Sequence, residues 1–256
     1  MQTTDKGVHY LTKSVEIINN LFIIILIKTE ISNFSFYPDE ETGNKKDSSY
    51  FALMITYQFN SKYNDPTYVG YMYGNPDGTT FDEVHNNTNN SIIKTAVDNW
   101  YKTNIVDKGF SSNVSNAVGF CGDRTLRSGD GVSTTQNSYF SSYKRLENNT
   151  PQFTCPELSR DLYTTAASSI GNKALTYPVG LITYDELVYA GMDNRHTNKL
   201  SWAYSTQHYW TMSPSSFDAT LGYAIEWFLN SAGNLNPWWN VDNSLGARPD
   251  SYYDRK

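Results

Sequence analysis

The chain has 256 residues and a formal net charge of −6, and only 18% of its residues are charged. A nucleic-acid partner is therefore not expected, because phosphate neutralisation needs a basic stripe that this composition does not supply. The length allows a substantial core, in one large domain or in one domain with an appendage. The unusual count is 20 tyrosines, set among many Asn, Ser and Thr. Tyr and Thr favour strands, which suits an exported β-rich protein. Tyr also gives contact area at low rotamer cost and Asn and Ser give adaptable hydrogen bonds, which suits a recognition surface.

Residues 1–49 read as an N-terminal leader, containing a signal or anchor segment and a linker. Ile17–Ile27 carries the apolar run LFIIILI. It is too short to cross a bilayer, which takes about 20 residues. Its length suits a signal-peptide core, with Lys6 and Lys13 ahead of it. Asp5 and Glu16 dilute that flank, however, and no small-x-small cleavage site follows. A buried strand or helix, and a leader from an imperfect start site, are the other readings. Membrane contact is expected only through this segment. Pro38–Ser49 is charged and reads as a linker, so residues 50–256 form the single folded domain.

Tyr50–Phe59 and Thr67–Tyr73 are strand-like, and Asn75-Pro76-Asp77-Gly78 is a turn. Asn86–Ser91 should cap the next helix. Ser91–Ile105 places Ile93, Val97, Trp100 and Tyr101 on one face, the clearest helix in the chain. Lys94 and Asp98 are an i,i+4 pair on its wet side, worth a few tenths of a kcal/mol. Gly109–Thr154 reads as loop-rich. Its landmark is Gly119-Phe120-Cys121-Gly122-Asp123-Arg124, where adjacent opposite charges beside a glycine turn suggest a structural pair. Ser128–Ser142 reads as a polar surface loop, with Asp130 a weak calcium candidate.

Leu158, Leu162 and Ala166 step by four, so Leu158–Ala167 reads as a short helix. In Tyr177–Met192, Val179–Ile182 is a strand and Thr183 with Glu186 forms a T-x-x-E capping box. Leu187, Val188 and Ala190 carry the helix, and Gly191 ends it in the left-handed conformation. Asp185 and Glu186 look like a carboxylate pair, but in a first helical turn they are expected to cap and to complement the dipole. Asp193–Gln207 is a polar loop carrying His196, Trp202 and Tyr204. The four histidines, His9, His85, His196 and His208, are scattered, and read as exposed or hydrogen-bonded loop residues.

The last stretch, Tyr209–Pro249, holds four of the six tryptophans: Trp210, Trp227, Trp238 and Trp239. It reads as three strands. Tyr209–Ser213 ends at Pro214, which a central strand would not accommodate. Tyr223–Leu229 alternates, and Asn230–Asn234 is turn chemistry. A return segment runs through Leu235, Trp238 and Val241, broken by Pro237. The two cysteines, Cys121 and Cys155, are expected to form one disulfide of an exported protein, with two buried thiols as the alternative.

Strand, T-x-x-E cap, short helix, polar loop, then a Trp-rich meander ending Gly-x-Arg: this order resembles the C-type-lectin fold in its formylglycine-generating-enzyme-like branch. Gly180–Ala190 stands where that branch has an R-L-P-T-E-A-E-W-E-Y-A type run, and Gly246-Ala247-Arg248 looks like its closing G-F-R. Phe120–Arg124, Tyr177–Thr183, Tyr209–Pro214 and Gly246–Pro249 are similar, in order, to motifs of surface proteins from gut Firmicutes. The resemblance covers Tyr50 to Pro249. It implies an α+β, C-type-lectin-like fold, loop-rich, with two main helices packed on short antiparallel sheets. That family follows its R-P with an apolar segment. Here Asp250-Ser251-Tyr252 follows, so the closing strand is expected to be short or frayed.

The function this implies is a non-enzymatic binding module, extracellular or at the cell surface, recognising a glycan or protein ligand. Its aromatic and Asn-rich face would be built from Trp202, Tyr204, Tyr209, Trp238, Trp239, Asn240 and Asn243. Calcium-dependent lectins of this fold use a W-N-D run. Trp239-Asn240-Val241-Asp242 is interrupted by Val241, and no E-P-N partner is visible, so no metal and no other cofactor is expected. The oxidising formylglycine enzymes bind copper through a cysteine pair in the C-terminal core, and no cysteine lies after Cys155. G-x-S-x-G, H-E-x-x-H, P-loop and G-x-G-x-x-G signatures are absent. Two alternatives remain. One is an enzyme of that branch with other chemistry, with ionisable groups converging around Arg124, Asp185, Glu226 or Arg248. The other is a structural, pilus-like surface subunit.

Overall fold

The computed structural model describes residues 35–38, 45–50, 56–148 and 150–252, all within the unit Ser35–Lys256. The apolar run Ile17–Ile27, with its signal or anchor reading, lies outside them. Strands β1 (Ser35–Pro38) and β2 (Lys45–Tyr50) pair antiparallel. β2 occupies the stretch expected to be a linker, and its other edge is taken by the closing strand, with Asp250 opposite Tyr50. After β3 (Thr56–Gln58), the expected strand Thr67–Tyr73 is interrupted. Asp65 accepts from Thr67 N at 2.8 Å and caps a 3-10 turn, Pro66–Tyr68. Only β4 (Met72–Tyr73) is extended, paired with β5 (Asn89–Asn90). The turn at Asn75 forms as expected, Gly78 N donating to Asn75 O at 3.0 Å.

Helix α1 (Phe81–Val84) starts from a capping box in which Thr80 and Glu83 exchange bonds, a T-x-x-E signal that the periodicity argument passes over. Helix α2 (Ile92–Tyr101) is capped by Ser91, which accepts from Lys94 N at 3.1 Å, and continues through a π-helical turn, Lys102–Val106. Ile93, Val97, Trp100 and Tyr101 are buried, as their spacing predicts. The Lys94–Asp98 pair also forms, at 2.7 Å, but not in water: the two side chains are 1% and 14% exposed. The helix is covered there as well, since Ile93 N donates to Phe59 O and Tyr71 lies close enough to Asp98 to feel its charge.

Strand β6 (Gly119–Cys121) is followed by β7 (Leu126–Ser128) and β8 (Ser138–Phe140), and then by helix α3 (Ser141–Asn148), inside the region expected to be loop. The expected helix Leu158–Ala167 is only α4 (Leu158–Asp161). The chain then extends as β9 (Leu162–Thr164), paired with β6. Cys121 and Cys155 are joined, S–S 2.05 Å, so the disulfide anchors the approach to α4 onto β6.

After β10 (Gly180–Leu181), helix α5 (Tyr184–Tyr189) carries the expected capping box: Thr183 Oγ1 donates to Glu186 Oε2 at 2.8 Å, and Glu186 N donates back to Thr183 Oγ1 at 3.2 Å. Gly191, at φ 85°, ends it, a left-handed turn that costs glycine no Cβ clash. Where two main helices are expected there is one among the described residues, α2 with its π-turn. α3 and α5 have 8 and 6 residues.

The tail forms β11 (Tyr209–Asp218), β12 (Tyr223–Leu229), β13 (Leu235–Asn236), β14 (Ser244–Gly246) and β15 (Pro249–Tyr252). One sheet runs β13-β12-β11-β14-β3, with β8 also on β11 and β7 on β8; a second runs β1-β2-β15-β10. The closing strand is thus paired on both sides. β11 does not stop at Pro214. The register with β12 shifts on both sides of it, and a bulge is the one setting in which a central strand tolerates a residue with no N–H to donate. Met212 N donates to Ile182 O at 2.9 Å, so the end of β10 leans on β11. Between them lies a core of Ile182, Tyr184, Leu187, Tyr209, Trp227 and Leu229, all buried. The chain is therefore an α+β protein of several small antiparallel sheets.

Candidate functional site

Turn chemistry lays out the site. Asn230 Oδ1 accepts from Ala232 N at 2.9 Å and from Asn234 N at 3.2 Å, folding the β12–β13 connection back on itself. Gly233 takes φ 89° there, and its carbonyl accepts from Asn198 N at 2.9 Å, which tethers the polar loop before β11. Ser231, in the same turn, joins two aromatic clusters. Its N–H donates to His208 Nδ1 at 3.3 Å, and its carbonyl accepts from the Tyr204 hydroxyl at 3.3 Å.

The first cluster contains the exposed indoles. Alternation along β12 sends Trp227 toward α5, where its ring centroid lies 4.9 Å from that of Tyr184, and turns Phe228 the other way. Trp239 stacks on Phe228, centroids 4.9 Å apart and planes 26° apart. His208 lies 4.9 Å from Trp239 on a tilted plane. Trp239 is 37% exposed and Trp238 70%; both lie in the irregular segment after β13, and both meet water. Asn236 Oδ1 accepts from Trp238 N at 3.0 Å. Asn240 and Asn243 are half-buried and bonded together, the Asn243 amide donating to both the backbone and side-chain oxygens of Asn240. His208 and Phe228 are the residues of this cluster that sequence reasoning missed. The signals for them were the position of His208 beside Tyr209 and the alternation of β12.

The second cluster surrounds Arg248. Its guanidinium lies 6.0 Å from the Trp202 ring centre and 5.5 Å from that of Tyr209, and it donates to Ala203 O at 3.0 Å. Trp202 and Tyr204 are half-buried. Tyr209 is a correction: expected on the binding face, it is 3% exposed, with its hydroxyl donating to Ala203 O at 2.6 Å. As the first residue of a strand buried on both faces, it has no route to the surface. Burial raises its phenol pKa against the lowering effect of Arg248. The seven expected residues therefore form two half-exposed groups linked through Ser231, with Tyr209 beneath one of them.

Of the ionisable groups of the enzyme alternative, Arg124 and Glu226 feel each other's charge beside Gly70, Asp185 pairs elsewhere, and all three are buried. Arg124 is fully buried, paired with Asp161 at 2.9 Å, and donates to Met72 O and Asn87 Oδ1. Glu226 is buried and accepts from Gly70 N. Asp185 is held by two bonds from Arg145, 2.7 and 2.8 Å long, and its job is this ion pair rather than capping. Burial raises the Asp185 pKa while Arg145 opposes the shift. His85 is hydrogen-bonded, 2.9 Å from Gly131 O, but buried. Asp130 spends one oxygen on Val132 N and Ser133 N. Among the described residues no group of three or more His, Cys, Asp or Glu is placed to hold a metal ion, and no helix is long and apolar enough to cross a membrane. No protein-family model, curated protein or solved structure matches this chain.

Proposed function

We propose that this chain is a non-enzymatic binding module of C-type-lectin-like fold, secreted or displayed at a cell surface, that engages a glycan or protein ligand through the turn carrying Trp238 and Trp239. The observation that carries this reading is the pair itself. A tryptophan left 70% exposed beside one left 37% exposed, in the segment after β13, leaves apolar surface in water until something covers it. The neighbouring amides of Asn240 and Asn243 supply the polar contacts that such a face needs for orientation. The order of capping-box helix, polar loop, paired tail strands and Gly-Ala-Arg turn supports the fold. The Cys121–Cys155 bond supports an oxidising compartment. The ion-paired burial of Arg124 and Asp185 weighs against catalysis there.

The test is retention of the full chain on arrays of glycans and of purified extracellular proteins, run with and without chelator. Binding in chelator that is lost in W238A, with the circular dichroism spectrum unchanged, supports the reading. Retention that W238A and W239A leave untouched would overturn it.

A further inference from the structure

The chemistry around Trp239 narrows the ligand class; the argument rests on the binding-module reading above. The indole lies on Phe228, which is 1% exposed, and against His208, yet Trp239 keeps 37% of its surface in water. The ring is fixed before any ligand arrives, and pre-organisation of this kind lowers the entropy lost on binding. Beside it, His208 Nδ1 accepts from Ser231 N at 3.3 Å. That places the ring proton on Nε2 and makes the imidazole a donor. In the turn that follows, the Asn243 amide nitrogen is spent on Asn240 oxygens. The pair is left with the Asn240 amide nitrogen as donor and Asn243 Oδ1 as acceptor.

A flat π face flanked by neutral donors and an acceptor matches a particular chemistry. The C–H face of a pyranose carries slight positive charge and sits on the negative face of an aromatic ring. Its ring hydroxyls both donate and accept. The stretch from Trp238 to Asn243 holds no Lys or Arg to attract a carboxylate or sulfate, and Asp242 between the two amides would repel one. A protein epitope is a poorer fit, because a standard interface covers about 800 Å² per partner and two indoles with one turn offer far less. We propose that Trp239 is the stacking platform for a neutral pyranose, with Trp238 as a side wall and the Asn240–Asn243 amides as its hydrogen-bonding partners, independent of any metal ion.

The experiment is saturation-transfer NMR and tryptophan fluorescence on the full chain in chelator. The probes are neutral oligomers of glucose, galactose, mannose and N-acetylglucosamine, beside sialylated and sulfated counterparts. A neutral oligomer should bind, with saturation reaching its ring C–H protons. W239A should weaken binding by about tenfold or more, and W239F should stay within about threefold of wild type. Because W239A also removes packing on Phe228, W238A is the second variant; Trp238 is 70% exposed, so the circular dichroism spectrum should stay unchanged while binding weakens. Preference for the anionic oligomers, or neutral binding that neither variant disturbs, overturns the proposal. If no saccharide binds but a protein ligand does so through Trp238, the pyranose proposal falls and the binding-module reading holds. If neither class binds, both fall.

Discussion

The indole Nε1 of Trp227 donates to Ser142 Oγ at 2.9 Å, and the same hydroxyl donates to the carbonyl of Pro214. One buried serine on α3 thus ties the helix to both central strands, at the bulge where β11 departs from regular pairing with β12. Ser142→Ala would leave a buried indole N–H and a buried carbonyl without partners. The expected cost is about 1–3 kcal/mol, read as a lower urea midpoint with an unchanged slope.

Arg145 bridges two acids, Asp123 at 2.6 Å and Asp185 at 2.7 Å, with all three side chains nearly buried. Arg145→Met strands both carboxylates in the protein. Its expected cost is about 3–5 kcal/mol, again by urea unfolding. Replacing Asp123 and Asp185 by Asn in the same chain should recover most of that loss, because the penalty comes from unpaired charge rather than lost packing.

Glu226 is fully buried; one oxygen accepts from Gly70 N and the other meets no donor. Burial pushes its pKa well above the usual carboxyl range, outweighing Gly70 and Arg124. The folded state therefore holds a proton that the unfolded chain releases near about pH 4. Stability from this group is full below that pH and falls as pH rises toward the folded value. Glu226→Gln keeps the acceptor for Gly70 and should gain about 1–3 kcal/mol at pH 8. It should also flatten stability against pH above about 4. Asp250, shifted the same way by burial and by Glu186, leaves a residual slope. A thermal-melt series across pH in both proteins checks the sign.

The Cys121–Cys155 bond closes a separation of 34 residues. Chain-entropy arguments give about 3–4 kcal/mol for a loop of that size. The paired Cys121→Ser and Cys155→Ser variant should lose that amount in urea unfolding. It should also expose the β6–β9 pair to proteolysis before the tail sheet, since the bond lies on the β6 side.

Elements specified by nearby residues could be read from the chain alone. The Ser91 cap and the spacing of Ile93, Val97 and Trp100 marked α2. Thr183 with Glu186, and Gly191 after them, marked both ends of α5. The turn at Asn75 and the alternation of Tyr223–Leu229 were equally visible, because caps, turns and period-2 alternation are local energies. The two cysteines pair as expected.

Whatever depended on a partner distant in sequence had to wait for the fold. Pro214 argued for a strand end, yet pairing to β8 and β12 around a bulge carried β11 past it. Ser128–Ser142 looked like solvent loop, yet its last residues open α3, and Ser142 is buried because Trp227 and Pro214 need its hydroxyl. Lys94 and Asp98 stand at the right spacing for a surface pair, but the fold buries both, with Tyr71 close to Asp98. Tyr209 carries the same aromatic signal as Trp239, and only the layers around it put one beneath Arg248 and left the other facing water. Local free energies chose the elements in this chain; which side of each is covered was decided by residues far away along it, and burial is what separates a core aromatic from an exposed one.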